Sequence, residues 1–376
     1  MAKTNKTPLI RIAKRAQLPW YKAWAIRLGA VLLALILCGL ITTITTGLNP
    51  LKVYATMIDG NFGTKRRIWV LLQNMAVLLC MSLAVTPAFK MRFWNIGAEG
   101  QTLMGVLGSS IIMITFKDSM SSGLMIFLSL VTSILFGAIW GAIPALCKAK
   151  WNTNETLFTL MMNYVAMQLV NYFVILWENP AGSGKVGIIN QSSRNGWLPE
   201  IAGNEFLLNI LIVLVVTVVI YVYLTYTKHG YEISVVGESE RTARYVGIKV
   251  GKVIVRTMVL SGAICGLTGF LLVTGTAHTI SSALAGGRGF TAVMVSWLAK
   301  FNPFTMILTS GLLVFLDRGA GEIASVFGLN VAFSDILAGI IIFFIIGSEF
   351  FIDYEIHVGR HKEQNSVQDK AEAPKS

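Results

Sequence analysis

Long stretches of this 376-residue chain carry no charge at all, and that decides what it can fold into. No Asp, Glu, Lys or Arg lies between Arg27 and Lys52, between Arg67 and Lys90, or between Glu155 and Glu178. A helix needs roughly 20 mostly apolar residues to cross a bilayer core. Only 13% of the residues are charged and 54% are hydrophobic, against about 25% charged in an ordinary soluble domain. The runs do not alternate polar and apolar over about 10 residues, as barrel strands do. The fold class is therefore all-α: a polytopic membrane protein of about ten transmembrane helices.

Spans are placed near 26–46, 68–89, 93–116, 123–146, 156–177, 206–225, 257–276, 290–300, 304–316 and 334–352. A basic N-terminal segment, 1–25, precedes a membrane domain over 26–353, and a polar tail over 354–376 reads as disordered. With both termini in the cytoplasm, 22 of the 31 Lys and Arg residues fall on the inner side and 9 on the outer, as the positive-inside rule requires. The net charge of +12 then reflects topology, and nucleic acid is not implied. The knot Lys65-Arg66-Arg67 is the exception, since it falls on the outer side. Two loops are long. The 178–205 loop is rich in Gly, Ser and Asn and faces out; the 228–256 loop is mixed in charge and faces in.

Most polar features have a plain structural explanation. Cys38, Cys80, Cys147 and Cys265 fit no metal or disulfide spacing, and four scattered histidines suggest no metal site. Asn152 with Glu155 three residues on resembles a capping box. Asn163, Gln168 and Asn171 lie within a span, where amides must face protein or a water-filled path. In the lead-in to the third span, Asn95 suits a helix cap. Glu99 suits the helix's positive end or a pair with Arg92. Gly97, Gly100 and Gly105 let another helix approach. In the inner loop, Ser239 suits a cap, Arg241 and Arg244 share a face, and Gly247 suits the left-handed position after a short helix. That pattern fits a docking helix and equally a loop lying on headgroups.

Several of these stretches resemble one family. "GESERTARYVGIKVGKVIVR" is similar to the cytoplasmic loop of permeases of ABC importers, within the branched-chain amino acid, ribose and nucleoside superfamily. Gly237, Ala243, Tyr245, Gly247 and Ile248 match its pattern; Ser239 and Thr242 depart from it mildly. "NIGAEGQTLMG" (95–105), "NETLFTLMMNYVA" (154–166) and "GGRGFTAVMVSWLAKFNP" (286–303) resemble the nucleoside and simple-sugar branch. The resemblance implies a permease in a bacterial cytoplasmic membrane, partnered by an ATPase subunit, a second permease, an extracellular substrate-binding lipoprotein and membrane lipid. It implies ATPase coupling through Glu238, Arg241, Ala243, Arg244, Tyr245 and Gly247. It makes Asn95, Gly97, Glu99, Gln101, Asn154, Glu155, Asn163, Gly287, Gly289 and Phe290 motif or pathway candidates. The expected cargo is a nucleoside, with ribose or another simple sugar as the alternative and an ion-coupled secondary carrier as a further one. No catalytic constellation is present. The nearest approach to a phosphate-binding loop has Asn179 and Val186 at two of its required positions. ATP and Mg are thus expected on the ATPase partner, and no cofactor or metal on this chain.

Overall fold

The computed structural model describes residues 10–15, 18–117 and 119–358, in two compact units.

The first unit comprises residues 1–53 and 332–376. Strand β1 (Ile10–Lys14) pairs antiparallel with β2 (Tyr354–Val358), Ile10 opposite Val358. Helices α1 (Trp20–Thr46) and α13 (Val331–Asp353) run alongside each other. Arg27 bonds Glu349 at 2.7 Å, and the Cys38 thiol meets the Leu337 carbonyl at 3.6 Å. The tail expected to be disordered from 354 therefore begins as a strand, because a short apolar-alternating segment finds a partner edge. The remainder of the tail, 359–376, and positions 1–9 and 16–17 of the basic segment lie outside the described residues.

The second unit, 54–331, holds most of α2 (Pro50–Phe62), then α3 (Lys65–Lys90), α4 (Ala98–Thr115), α5 (Ser122–Trp151), α6 (Glu155–Leu176) and α7 (Leu207–Tyr226). There follow α8 (Lys228–Glu238), α9 (Glu240–Tyr245), α10 (Val250–Leu272), α11 (Arg288–Leu298) and α12 (Pro303–Phe327). A π-helical turn, Val273–Ala277, extends α10. Among the described residues, eight helices are long and apolar enough to cross a membrane. The other two expected spans are α4, of 18 residues, and α11, of 11. Both begin partway along a neighbouring helix, α4 beside α10 and α11 beside α3.

Lipid offers no hydrophobic drive between helices, so close packing of small residues must supply it. Helices α5 and α10 show this. Ser133, Gly137 and Gly141 recur at every fourth residue, as do Met258, Gly262 and Gly266. The two stripes oppose each other so closely that a Cβ at Gly262 would strike the Gly137 carbonyl, and one at Gly266 the Ser133 carbonyl. The Ser133 hydroxyl also donates to the Gly105 carbonyl of α4 at 2.8 Å. Gly262→Leu should therefore force α5 and α10 apart, at a cost above about 3 kcal/mol. Size-exclusion profiles of detergent-extracted protein should show loss of the folded peak. Gly321→Leu, where nothing lies within 4 Å, should leave it intact.

Within the exceptional basic knot, Arg67 is paired locally. It donates to Asp59 of α2 at 3.1 Å and to Glu322 of α12 at 2.7 Å. The 178–205 loop is a folded cap. Asn195 donates to the carbonyls of Lys117 and Met120, Asn190 to that of Met113, and the Leu198 amide to Thr274 in the π turn. Trp197 stacks on His278 with centroids 3.7 Å apart.

Candidate functional site

The segment 91–97 leaves the end of α3 without helical structure and is largely buried. Buried backbone must find partners, above all in a membrane. The Ile96 amide donates to Thr159 Oγ1 at 3.2 Å, and its carbonyl accepts from Asn163 Nδ2 at 2.9 Å. Asn163 Oδ1 accepts from the Gly100 amide at 2.8 Å. Asn95, wholly buried, donates to Ser261 at 2.9 Å, accepts from the Gly97 amide at 3.0 Å and bonds Gln101. Gly100 and Asn163 sit so close that a Cβ on Gly100 would lie 2.9 Å from the Asn163 Cα. That contact is why a glycine is needed there.

Ser261 lies eleven residues into α10. At about 1.5 Å per residue this is about 16 Å along that helix. Helix α4 thus starts partway along α10 rather than at its end. Helix α11 likewise starts partway along α3. Arg288, its first residue, donates to Asn74 at 2.9 Å, while Ser296 bonds Ser82 and Thr86 further along. The two broken helices meet at one side chain. Glu99 is 2% exposed. Its Oε1 accepts from the Gly287 amide and its Oε2 from the Gly289 amide, both at 2.7 Å. A carboxylate in the first turn of α4 therefore also caps the positive end of α11. Gly289 lies against it, since a Cβ there would sit 2.6 Å from the Glu99 amide. Gly286 and Gly287 take left-handed φ of 63° and 72° and are exposed.

Several expectations are corrected by this geometry. Asn95 does not cap α4; the position before that helix is Gly97, without a side-chain cap. Glu99 does not pair with Arg92; it reaches α11. The fifth span is capped by Asn154, which accepts from the Leu157 amide at 3.2 Å. Asn152 instead ends α5 at φ 51°, and Glu155 pairs with Lys148 at 2.9 Å. These three lie apart from the Glu99 cluster. Gln101, Asn163, Gly287 and Gly289 join it, while the Phe290 side chain is 44% exposed. Thr159, Ser261 and Arg288 are partners that sequence reading missed. Thr159 sits one turn before Asn163, and that spacing was the available signal.

The inner loop contains α8, which was not foreseen, and α9, which was. Ser239 caps α9 by accepting from the Thr242 amide at 3.2 Å, and Gly247 is left-handed at φ 84°. Ala243 is buried; Glu238, Arg241, Arg244 and Tyr245 are exposed. Gly237 rests on the Lys90 carbonyl at the end of α3. Glu232 accepts from Arg256 at 2.8 Å, and that hydrogen bond holds its carboxyl below the usual range. On α6, Tyr164, Gln168 and Tyr172 share an exposed face, with Gln168 bonded to Asn171 at 3.2 Å. Among the described residues, no three His, Cys, Asp or Glu side chains group as a metal site.

Residues 68–346 match the family described as the branched-chain amino acid transport system permease component. A glucose ABC transporter permease protein of Haloferax volcanii is 27% identical over 95% of this chain and 96% of its own length. A nucleoside ABC transporter permease protein of Lactococcus lactis is 28% identical, over 82% and 87%. A guanosine ABC transporter permease protein of Bacillus subtilis is 28% identical, over 84% and 92%. In each of the last two organisms a second permease protein named for the same solute also matches.

Proposed function

Since the chain belongs to the branched-chain amino acid transport system permease family, we propose that it is a permease subunit of an ATP-driven ABC importer for nucleosides, set in the plasma membrane. The observation that carries this reading is the junction of α4 and α11 at Glu99. Irregular backbone at membrane depth is tolerated only within protein or along a water-filled path. Broken helices meeting at mid-membrane are a recurrent way to build transport sites. The open turn at Gly286 and Gly287 beside them supports a path there. The exposed α6 face adds two phenol rings and an amide, groups that stack on and hydrogen-bond a nucleobase.

The paired permeases of the Lactococcus and Bacillus systems support a second, different permease as partner. ATP hydrolysis belongs to a separate ATPase subunit, with α9 as its docking helix, and a substrate-binding lipoprotein would meet the 178–205 cap. A simple sugar is the second reading, favoured by the Haloferax relative. An ion-coupled carrier would need a free acid at depth; Glu99 has both oxygens engaged by backbone amides, which argues against it.

Vesicles containing the assembled importer test the proposal. Labelled nucleoside uptake should require ATP and yield to excess unlabelled nucleoside but not to ribose or glucose. Competition by sugar alone would transfer the assignment to sugars. Uptake that survives ATP depletion but not an uncoupler would sink it. Replacing Tyr164 and Gln168 together by Leu should lower uptake at least about fivefold if stacking contributes about 1 kcal/mol or more. Equal uptake would remove α6 from the path.

A further inference from the structure

A cleft of about 470 Å³ lies beside α9 and has no part in the path proposed above. Lys228, Lys249, Lys252, Arg256, Tyr231 and Glu232 line it, with the Val246–Ile248 turn forming one edge. Among its lining residues Glu232 is the one acid, and it is engaged by Arg256 at 2.8 Å and lies 3.7 Å from His229. The three lysines are exposed and have no acidic partner among the described residues. Four cations against one carboxylate leave the cleft strongly positive.

Its position is as informative as its charge. Helix α7 ends at Tyr226, and α8 begins two residues later at Lys228. Lys249 and Lys252 flank the first turn of α10, another membrane-length helix. The cleft thus opens where one span leaves the bilayer and the next enters it, at headgroup level. Basic pockets at that level hold anionic headgroups.

We propose that this cleft binds the phosphate of an anionic ligand, supplied by a phospholipid headgroup of the surrounding leaflet. An occupied cleft would hold the Val246–Ile248 turn, and with it the C-terminal end of α9.

The test uses the full chain in nanodiscs of phosphatidylcholine with phosphatidylglycerol, and native mass spectrometry to count retained phosphatidylglycerol. Replacing Lys228, Lys249 and Lys252 together by Gln should weaken retention on the order of 100-fold, at about fivefold per lysine. The triple Arg replacement should preserve it. A second arm titrates inorganic phosphate into phosphatidylcholine-only nanodiscs and follows thermal stability. Saturable stabilisation that the Gln variant lacks would support the phosphate site but assign a free phosphate as its source. No such stabilisation, with phosphatidylglycerol lost from the Gln variant, assigns the lipid. Equal retention by wild type and Gln variant, without a phosphate response that separates them, overturns the site.

Discussion

Glu99→Gln should lower stability by about 3 kcal/mol and reduce uptake by more than the loss of folded protein explains. The two Glu99 oxygens accept the part-buried Gly287 amide just before α11 and the buried Gly289 amide within it. A glutamine presents one oxygen and one NH2, so either Gly287 or Gly289 would face a donor. An unsatisfied buried donor costs about 1–3 kcal/mol. Loss of the charge at two helix N-termini adds about 0.3–1 kcal/mol for each. The helices α4 and α11 would then be less firmly joined at the depth where the path is proposed. Thermal unfolding and uptake per folded molecule should be measured on the same preparation. Unchanged unfolding would show that the carboxylate does not hold α11. Reduced stability with normal uptake would make it a cap and nothing more. Gly289→Ala approaches the same contact from the other side, with its Cβ 2.8 Å from Glu99 Oε2, and should reproduce the defect without removing a charge.

The sequence made the membrane class legible because charge-free runs of bilayer length have few other uses. It also singled out the stretches around 95–105, 163 and 286–290, which the structure brings into contact. It did not reveal that they meet. A polar residue in the first turn of a helix has an obvious local role, and that role conceals a distant one. Glu99 and Gly287 are 188 residues apart, and nothing in either stretch names the other. The position of this segment was hidden for a related reason. The 91–97 lead-in looks like a connection between spans, and only its bond to Ser261 shows that it reaches partway along α10. The α9 pattern was readable since caps and left-handed glycines are local signals. The lysine cleft was not, because Lys228 and Lys249 are brought together by the return of the chain through α8 and α9.

The structure divides the residues of α9 into those that build it and those that it offers. Ala243 is 0% exposed, and its carbonyl accepts from the Ile248 amide at 2.9 Å. Ala243→Asp would bury an unpaired charge and should disrupt the helix itself, so lost uptake in that variant would not isolate a docking role. Tyr245 is 94% exposed and ends the helix. Tyr245→Ala therefore removes a protruding ring with little expected change in stability. If α9 seats in the ATPase, an aromatic anchor at such a contact is worth about 2 kcal/mol or more, or roughly 30-fold in affinity. Co-purification of the ATPase and uptake should both fall by that order while thermal unfolding stays fixed. Arg241→Asp, also on the exposed surface, should act in the same direction. Full ATPase binding and uptake in both variants would leave α9 as a surface helix on the headgroups, the other reading its pattern allows.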